Sequence, residues 1–315
     1  MTPKTKHASW RIAAALGALS MLTVGCARTP APEGAAPQGP RVETLASYPH
    51  GAFLENLAVA EDGAIYVTSY FDRTLVALRD GAAAPFATLP AHPVGVLKTA
   101  DGFIVTAHRT PFTDAPAVLS SNEILILDAA GAVVRTVAAP DARFLNGLVA
   151  IAPDRILIAD SIAGLIWSFT PSSGALSPWL TDPLLSVDAA TAPERPGANG
   201  LKLRDGALYI SNSSRGAVYR LALTQDVAPD GALETVAAPG PVDDFAFATD
   251  GAIIAATHGA QLLRIAADGA VSPVLETGCD GCTSVAVVDD ALIVLTTGNL
   301  LEGGDAPARV LRVTP

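Results

Sequence analysis

Across "ANGLKLRDGALYISNSSRGAVYRL", residues 198–221, apolar and polar positions alternate with period two on either side of an Asp-Gly pair. That period puts successive side chains on opposite faces of an extended strand, and Asp-Gly supplies the backbone of a tight hairpin. The unit recurs. "ENLAVAEDGAIYVTS", "VGVLKTADGFIVTAH", "NGLVAIAPDRILIADS", "NGLKLRDGALYISNS", "DDFAFATDGAIIAATH" and "TSVAVVDDALIVLTT" are six copies of one hairpin. Third strands follow as "TLVAL", "EILIL", "GLIWSF", "AVYRL", "QLLRI" and "RVLRV", and fourth strands fit "PFATLP", "VVRTVAAP", "SPWLT", "LETVAAP" and "SPVLE". The last unit lacks its fourth strand, whereas "RVETLASYP" at 41–49 has that pattern and precedes the first unit. An all-β fold is expected over 41–315, a six-bladed β-propeller closed by an N-terminal strand that completes the last blade. A pair of β-sandwiches would leave the regular recurrence unexplained.

In such a ring the first strand of every blade lines the central tunnel. Its opening residues are Glu55, Val94, Asn146, Asn199, Asp243 and Thr283, with Asn56 and Asp244 as neighbouring claimants to the same places. Facing carboxylates repel one another and lose hydration, and a divalent cation cancels that charge. Glu55, Asn146, Asn199 and Asp243 offer hard oxygens without imidazole or thiolate, a set suited to calcium, or to magnesium where water fills the shell. Asparagine and aspartate also cap loops in many turns, and that reading competes at each blade taken singly.

Second strands run back antiparallel and end at the same mouth, with Ser69, His108, Asp160, Asn212, His258 and Thr296. Ser69, Asn146 and Asn212 are the expected substrate contacts there, and Asp243 or His108 the expected base. Long connections at 109–122, 184–198 and 298–307 gather at that end, where insertions mark a binding face.

The fragments "ENLAVAEDG", "LNGLVAIAPD", "GANGLKLRDG" and "VDDFAFATDG" resemble the SMP-30/gluconolactonase (regucalcin-like) family, and more loosely the paraoxonases and diisopropyl-fluorophosphatase-like propellers. The resemblance spans roughly 45–315 and lies in the order Glu, Asn, Asn, Asp on successive blades. It implies a calcium- or divalent-metal-dependent lactonase or esterase, with Glu55, Asn199 and Asp243 as metal ligands and Asn146 as a further ligand or substrate contact. Val94 departs from the paraoxonase-like pattern, which keeps a histidine there; His92 lies two residues away, and His108 falls where a second histidine is expected.

Composition narrows the partners. The net charge is -11 and only four lysines occur, Lys4, Lys6, Lys98 and Lys202, so no basic surface suits a nucleic acid. Residues 1–25 read as a lipoprotein signal peptide: Lys4, Lys6 and Arg11 precede the apolar "IAAALGALSMLTVG", and "LTVGC" resembles a lipobox with Cys26 as the lipidated residue. Residues 26–40, rich in Pro, Ala and Gly, read as a tether. Such a chain is exported to the cell envelope and held to a membrane by acyl chains alone. Cys279 and Cys282 in "GCDGC" suit a small-loop disulfide of an exported protein.

The expected function is therefore a membrane-anchored, monomeric, calcium-dependent hydrolase of a small lactone or ester. The alternative is a propeller that binds a ligand or partner without catalysis around a structural metal, and a strictosidine-synthase-like condensation enzyme shares the fold with less support from individual residues.

Overall fold

The computed structural model describes residues 39–315 other than 80, 191 and 193. The signal peptide, Cys26 and the tether up to residue 38 lie outside the described residues. The hairpins form where sequence places them because their turns relieve backbone strain locally. Between paired Arg204 and Ala207, Asp205 and Gly206 take positive φ of 48° and 70°, the two-residue turn whose twist matches the flanking strands.

Six four-stranded antiparallel sheets result, five of them in sequence order from the tunnel outward and the last with the N-terminal strand outermost. The first blade comprises Leu54–Val59, Ile65–Ser69, Thr74–Arg79 and Ala82–Thr88. The last comprises Cys282–Val288, Ala291–Thr296, Ala308–Thr314 and, from the other end of the propeller, Arg41–Tyr48. That N-terminal strand pairs from Arg41 opposite Thr314 to Tyr48 opposite Ala308, so the ring closes as the pattern anticipated.

The core is divided among the junctions between neighbouring blades. Tyr66, Leu75, Phe103 and Leu125 fill the junction of blades one and two, and Leu57, Val67, Ile293 and Val310 fill that of blades six and one. Each sheet buries both faces against its neighbours, which is why a single unit has no stable core of its own. Burying a side chain of this size contributes about 1.5–3 kcal/mol.

Two features of the inner strands position everything at the mouth. First, pairing with the second strand slips at the opening residues in five blades, between Leu54 and Leu57, Pro93 and Val96, Leu145 and Leu148, Ala198 and Leu201, and Cys282 and Val285. Such bulges turn backbone and side chains away from the ladder. Second, buried hydroxyls tie each inner strand to the next. Thr68 donates to Val94 O at 2.8 Å, Thr106 to Asn146 O at 2.8 Å, Ser161 to Ala198 O at 2.6 Å and Ser211 to Asp243 O at 2.5 Å. Asp244 N donates to Thr283 O at 3.2 Å, and Thr283 Oγ1 donates to Leu54 O at 2.7 Å, completing the circuit. The strands approach so closely that a Cβ on Gly147 would lie 2.5 Å from Asn199 O.

Removing Thr106 Oγ1 leaves both Asn146 O and Gly95 N, which donates to it at 2.8 Å, unpaired in a buried site. Thr106→Val is therefore expected to cost about 2–4 kcal/mol in chemical denaturation. Deleting residues 39–48 exposes the edge of Ala308–Thr314, and loss of the cooperative transition is expected by circular dichroism.

Candidate active site

The bulges bring the opening residues of the inner strands to one mouth, and there they divide into three chemical kinds. Val94 is buried and apolar, packed with Phe53 and Tyr70. Thr283 uses its hydroxyl in the tie to Leu54 O. Glu55, Asn146, Asn199 and Asp243 keep side-chain oxygens near the floor of a cavity of about 600 Å³, which Glu55 and Asn146 line directly.

Asn199 and Asp243 are buried and in contact, the Asn199 Nδ2 donating to Asp243 Oδ1 as well as to Ser213 Oγ at 3.1 Å. Asn146 Nδ2 likewise donates to Ser161 Oγ at 3.3 Å. Holding the NH2 end of each carboxamide against its own second strand leaves the oxygen edge for another partner. Glu55 Oε2 is buried without a hydrogen-bond partner, and the partner of Asp243 Oδ2 is the His258 imidazole, 2.6 Å away. Burial first, and then the Asp243 charge, push the Glu55 carboxyl well above its ordinary range.

The rival positions resolve cleanly. Asp244 accepts from Lys202 Nζ at 2.5 Å, Ser284 Oγ at 2.9 Å and Asn56 Nδ2 at 3.3 Å, so its charge is spent in a closed network with Asn56. Asp243 is the carboxylate left for chemistry.

His258, just beyond the second strand of blade five, was expected at the mouth but without the partner the structure gives it. Its Nε2 lies 2.6 Å from Asp243 Oδ2, and its ring lines the cavity. Burial alone would push this imidazole down. The Asp243 carboxylate, with Glu55 and Glu302 near, reverses that and holds the proton up to about 9. The residue takes a left-handed backbone, φ 56°, uncommon for a side chain of this size and frequent at functional sites. Its N–H donates to Cys282 O at 2.7 Å. Cys279 and Cys282 are joined in a disulfide, and Cys279 N and Gly281 N donate to Ala260 O and Gly259 O at 3.2 and 3.0 Å. The cross-linked loop thus braces the turn that carries His258.

Three expectations need correction. Ser69 does not line the cavity; its hydroxyl donates to Asp72 Oδ2 at 2.6 Å, facing a groove beside Tyr48 and Pro85. Asn212 is buried and spends its amide on Leu184 O and Ser186 O, while its oxygen accepts from Arg215 N, so it pins a loop. His108 is sealed behind Tyr70 and Phe144: Tyr70 Oη lies 3.2 Å from its Nδ1, Phe144 packs 4.3 Å away ring to ring, and Nε2 has no partner. Burial pushes the His108 imidazole down to about 3, neutral and out of substrate reach. His92 stacks on Tyr70 at 5.0 Å instead of entering the cavity. Asp160 is similarly structural, accepting from Arg143 N at 2.8 Å and Trp167 Nε1 at 3.0 Å.

The long connections supply the walls. Phe112, Val118 and Leu119 come from 109–122, Arg195 from 184–198, and Leu301 from 298–307. Among the described residues no group of three His, Cys, Asp or Glu side chains is gathered to enclose a cation. The fit of a metal here rests on the unpartnered buried Glu55 Oε2 with the Asp243 carboxylate and two carboxamides, a hard-oxygen set from four blades.

No family model and no curated protein sequence matches the chain. Solved structures with the same fold include a luciferin-regenerating enzyme, 16% identical with a TM-score of 0.65, the match covering 88% of this chain and 96% of that one. A gluconolactonase from Xanthomonas campestris is 15% identical with a TM-score of 0.62, covering 87% and 89%. A calcium-binding protein, regucalcin, from Agrobacterium tumefaciens is 14% identical with a TM-score of 0.60, covering 86% and 94%. The likeness is one of fold, a six-bladed propeller.

The two histidines shape stability in opposite directions. His258 binds its proton more tightly folded than unfolded, so its contribution is full below about pH 6.5 and is lost as pH rises through about 9. His108 refuses a proton that the unfolded chain takes up below about pH 6.5, so it lowers stability as pH falls toward about 3. Denaturation series across pH should show His258→Gln flattening the alkaline limb and His108→Gln flattening the acid limb.

Proposed function

We propose that this chain is a divalent-metal-dependent hydrolase of a neutral lactone or ester, with calcium as the metal. The observation that carries the reading is the set Glu55, Asn146, Asn199 and Asp243 from four blades: Glu55 and Asn146 line the cavity, Asp243 touches His258, which lines it too, and Glu55 Oε2 is buried without a hydrogen-bond partner. A buried Glu55 carboxyl with an unpartnered oxygen beside a second carboxylate, Asp243, is an unfavourable arrangement for a purely structural plug, as the fully satisfied Asp244 network illustrates by contrast. The gluconolactonase and the calcium-binding regucalcin among the similar folds lend support by analogy.

When bound, a divalent cation supplies Lewis-acid polarisation of the carbonyl and charge for the developing oxyanion. Glu55, Asn146, Asn199 and Asp243 would hold it. The remaining work falls to the chain. Asp243 is buried away from the cavity surface, and His258, touching both, is the route by which it reaches a proton there. The Asp243–His258 pair gives its proton to the leaving alkoxide oxygen and regains one from the water whose oxygen bonds to the carbonyl carbon, so an ester becomes an acid and an alcohol. Phe53, Phe112 and Phe144 exclude other water from the floor.

Around this chemistry the chain is taken to be exported, lipidated at Cys26, tethered through 26–40 and monomeric, acting on a small molecule rather than on nucleic acid. The charge of -11 supports the last point.

The test is turnover of a lactone and aryl-ester panel by the purified protein. Activity is expected to vanish with EDTA and return with calcium, and Glu55→Gln and Asp243→Asn are each expected to lower kcat/KM by about 100-fold. Calcium at a hundredfold excess over its Kd should stabilise the wild type by about 2.7 kcal/mol and both variants by less. A panel without EDTA-sensitive turnover overturns the reading.

A further inference from the structure

The sugar lactone that a gluconolactonase opens carries a hydroxyl on nearly every carbon, and the walls of this cavity are made for something else. We infer that the substrate is a neutral lactone or ester bearing an aromatic or extended aliphatic group, an inference that rests on the hydrolytic reading and narrows it.

Charged and carboxamide groups are confined to the floor, with Glu55, Asn146 and His258, and to the rim, with Glu194, Arg195 and Glu302, and the one other polar side chain of the lining, Tyr70, has its hydroxyl engaged by Phe112 N and His108. Between them the wall is continuous apolar surface from separate elements. The connection after the second strand of blade two contributes Phe112, Val118 and Leu119, and blades one and three contribute Phe53 and Phe144. This wall is built rather than incidental. Phe112 N donates to Tyr70 Oη at 2.8 Å, and the Phe112 ring packs 4.6 Å from Tyr70 and 5.2 Å from Phe53. Val118 is buried within the short 3₁₀ turn Ala117–Ser120, whose end is held by Arg109 N donating to Ser121 O at 2.9 Å.

Three physical consequences select the ligand. A hydroxyl laid against the wall loses water and finds no partner, at a cost of roughly tenfold in affinity or more. A methylene laid there leaves water for apolar contact and gains about fourfold. An anionic substituent would meet Glu194 and Glu302 at the rim, against the single cation Arg195 there. At about 600 Å³ the cavity holds a ligand well beyond a bare lactone ring.

The experiment measures kcat/KM for δ-lactones with alkyl chains of increasing length, for phenyl esters and for glucono-δ-lactone. In parallel, calorimetry follows binding of the corresponding alkyl δ-lactams, which share the shape and resist opening. Expected are a rise of about fourfold per methylene until the cavity is full and a preference for the apolar substrates over the sugar lactone. Phe112→Ala and Leu119→Asp should each lower kcat/KM for the longest substrates by at least tenfold, with thermal unfolding used to confirm that the variants are folded. Lactams that bind with affinity rising along the series, with no lactone turned over, uphold the ligand class and overturn hydrolysis. Faster opening of glucono-δ-lactone than of the alkyl lactones keeps hydrolysis and overturns the inference. Affinity and kcat/KM indifferent to chain length overturn it as well.

Discussion

The ring of buried hydroxyls that joins one inner strand to the next is the constraint on which the rest of this structure depends. Inner strands at the narrow end of a propeller cannot interpose side chains, as the contact between a notional Cβ on Gly147 and Asn199 O shows. Their carbonyls therefore face one another's blades without water. Thr68, Thr106, Ser161, Ser211 and Thr283 each satisfy one of these carbonyls from the adjoining blade. A buried carbonyl left unpaired is costly, so the ties fix the separation of the blades at the level where the functional side chains emerge.

The bulges act with the ties. Slippage at the first few residues of an inner strand frees Glu55, Asn146 and Asn199 from the ladder while the next hydroxyl anchors the backbone beside them. The Asp243 carbonyl accepts from Ser211 and its carboxylate receives Asn199, so one residue is held at both ends. Rigid backbone on separate sheets thereby holds like charges close together, an arrangement that a flexible loop would relax.

His258 shows how such a site acquires a second layer. Its strained backbone is over-determined by Cys282 O and by the disulfide loop that packs beneath its turn. The Asp243 carboxylate holds the proton on that imidazole, and the imidazole, which lines the cavity, links Asp243 to it. The aromatic wall has comparable support, since Tyr70 bridges Phe112 N and the buried His108. His108 thus belongs to the packing of the wall.

Alternation around recurring aspartate turns was enough by itself to set the blades, their number and the closure by Arg41–Tyr48, because strand period and hairpin chemistry are local. The opening positions Glu55, Asn146, Asn199 and Asp243 were readable for the same reason, each standing six to eight residues before the aspartate of its turn. Which polar residues are used up and which remain for chemistry was decided only in three dimensions. Asp244 and Asp243 are adjacent in sequence, and Lys202 and Ser284 neutralise the one while His258 meets the other. Ser69, Asn212 and His108 carry functional groups like those around the cavity, and their partners Asp72, Leu184 O and Tyr70 turn them to structural ends. A side chain's chemistry is set by what surrounds it, and those surroundings come from other blades.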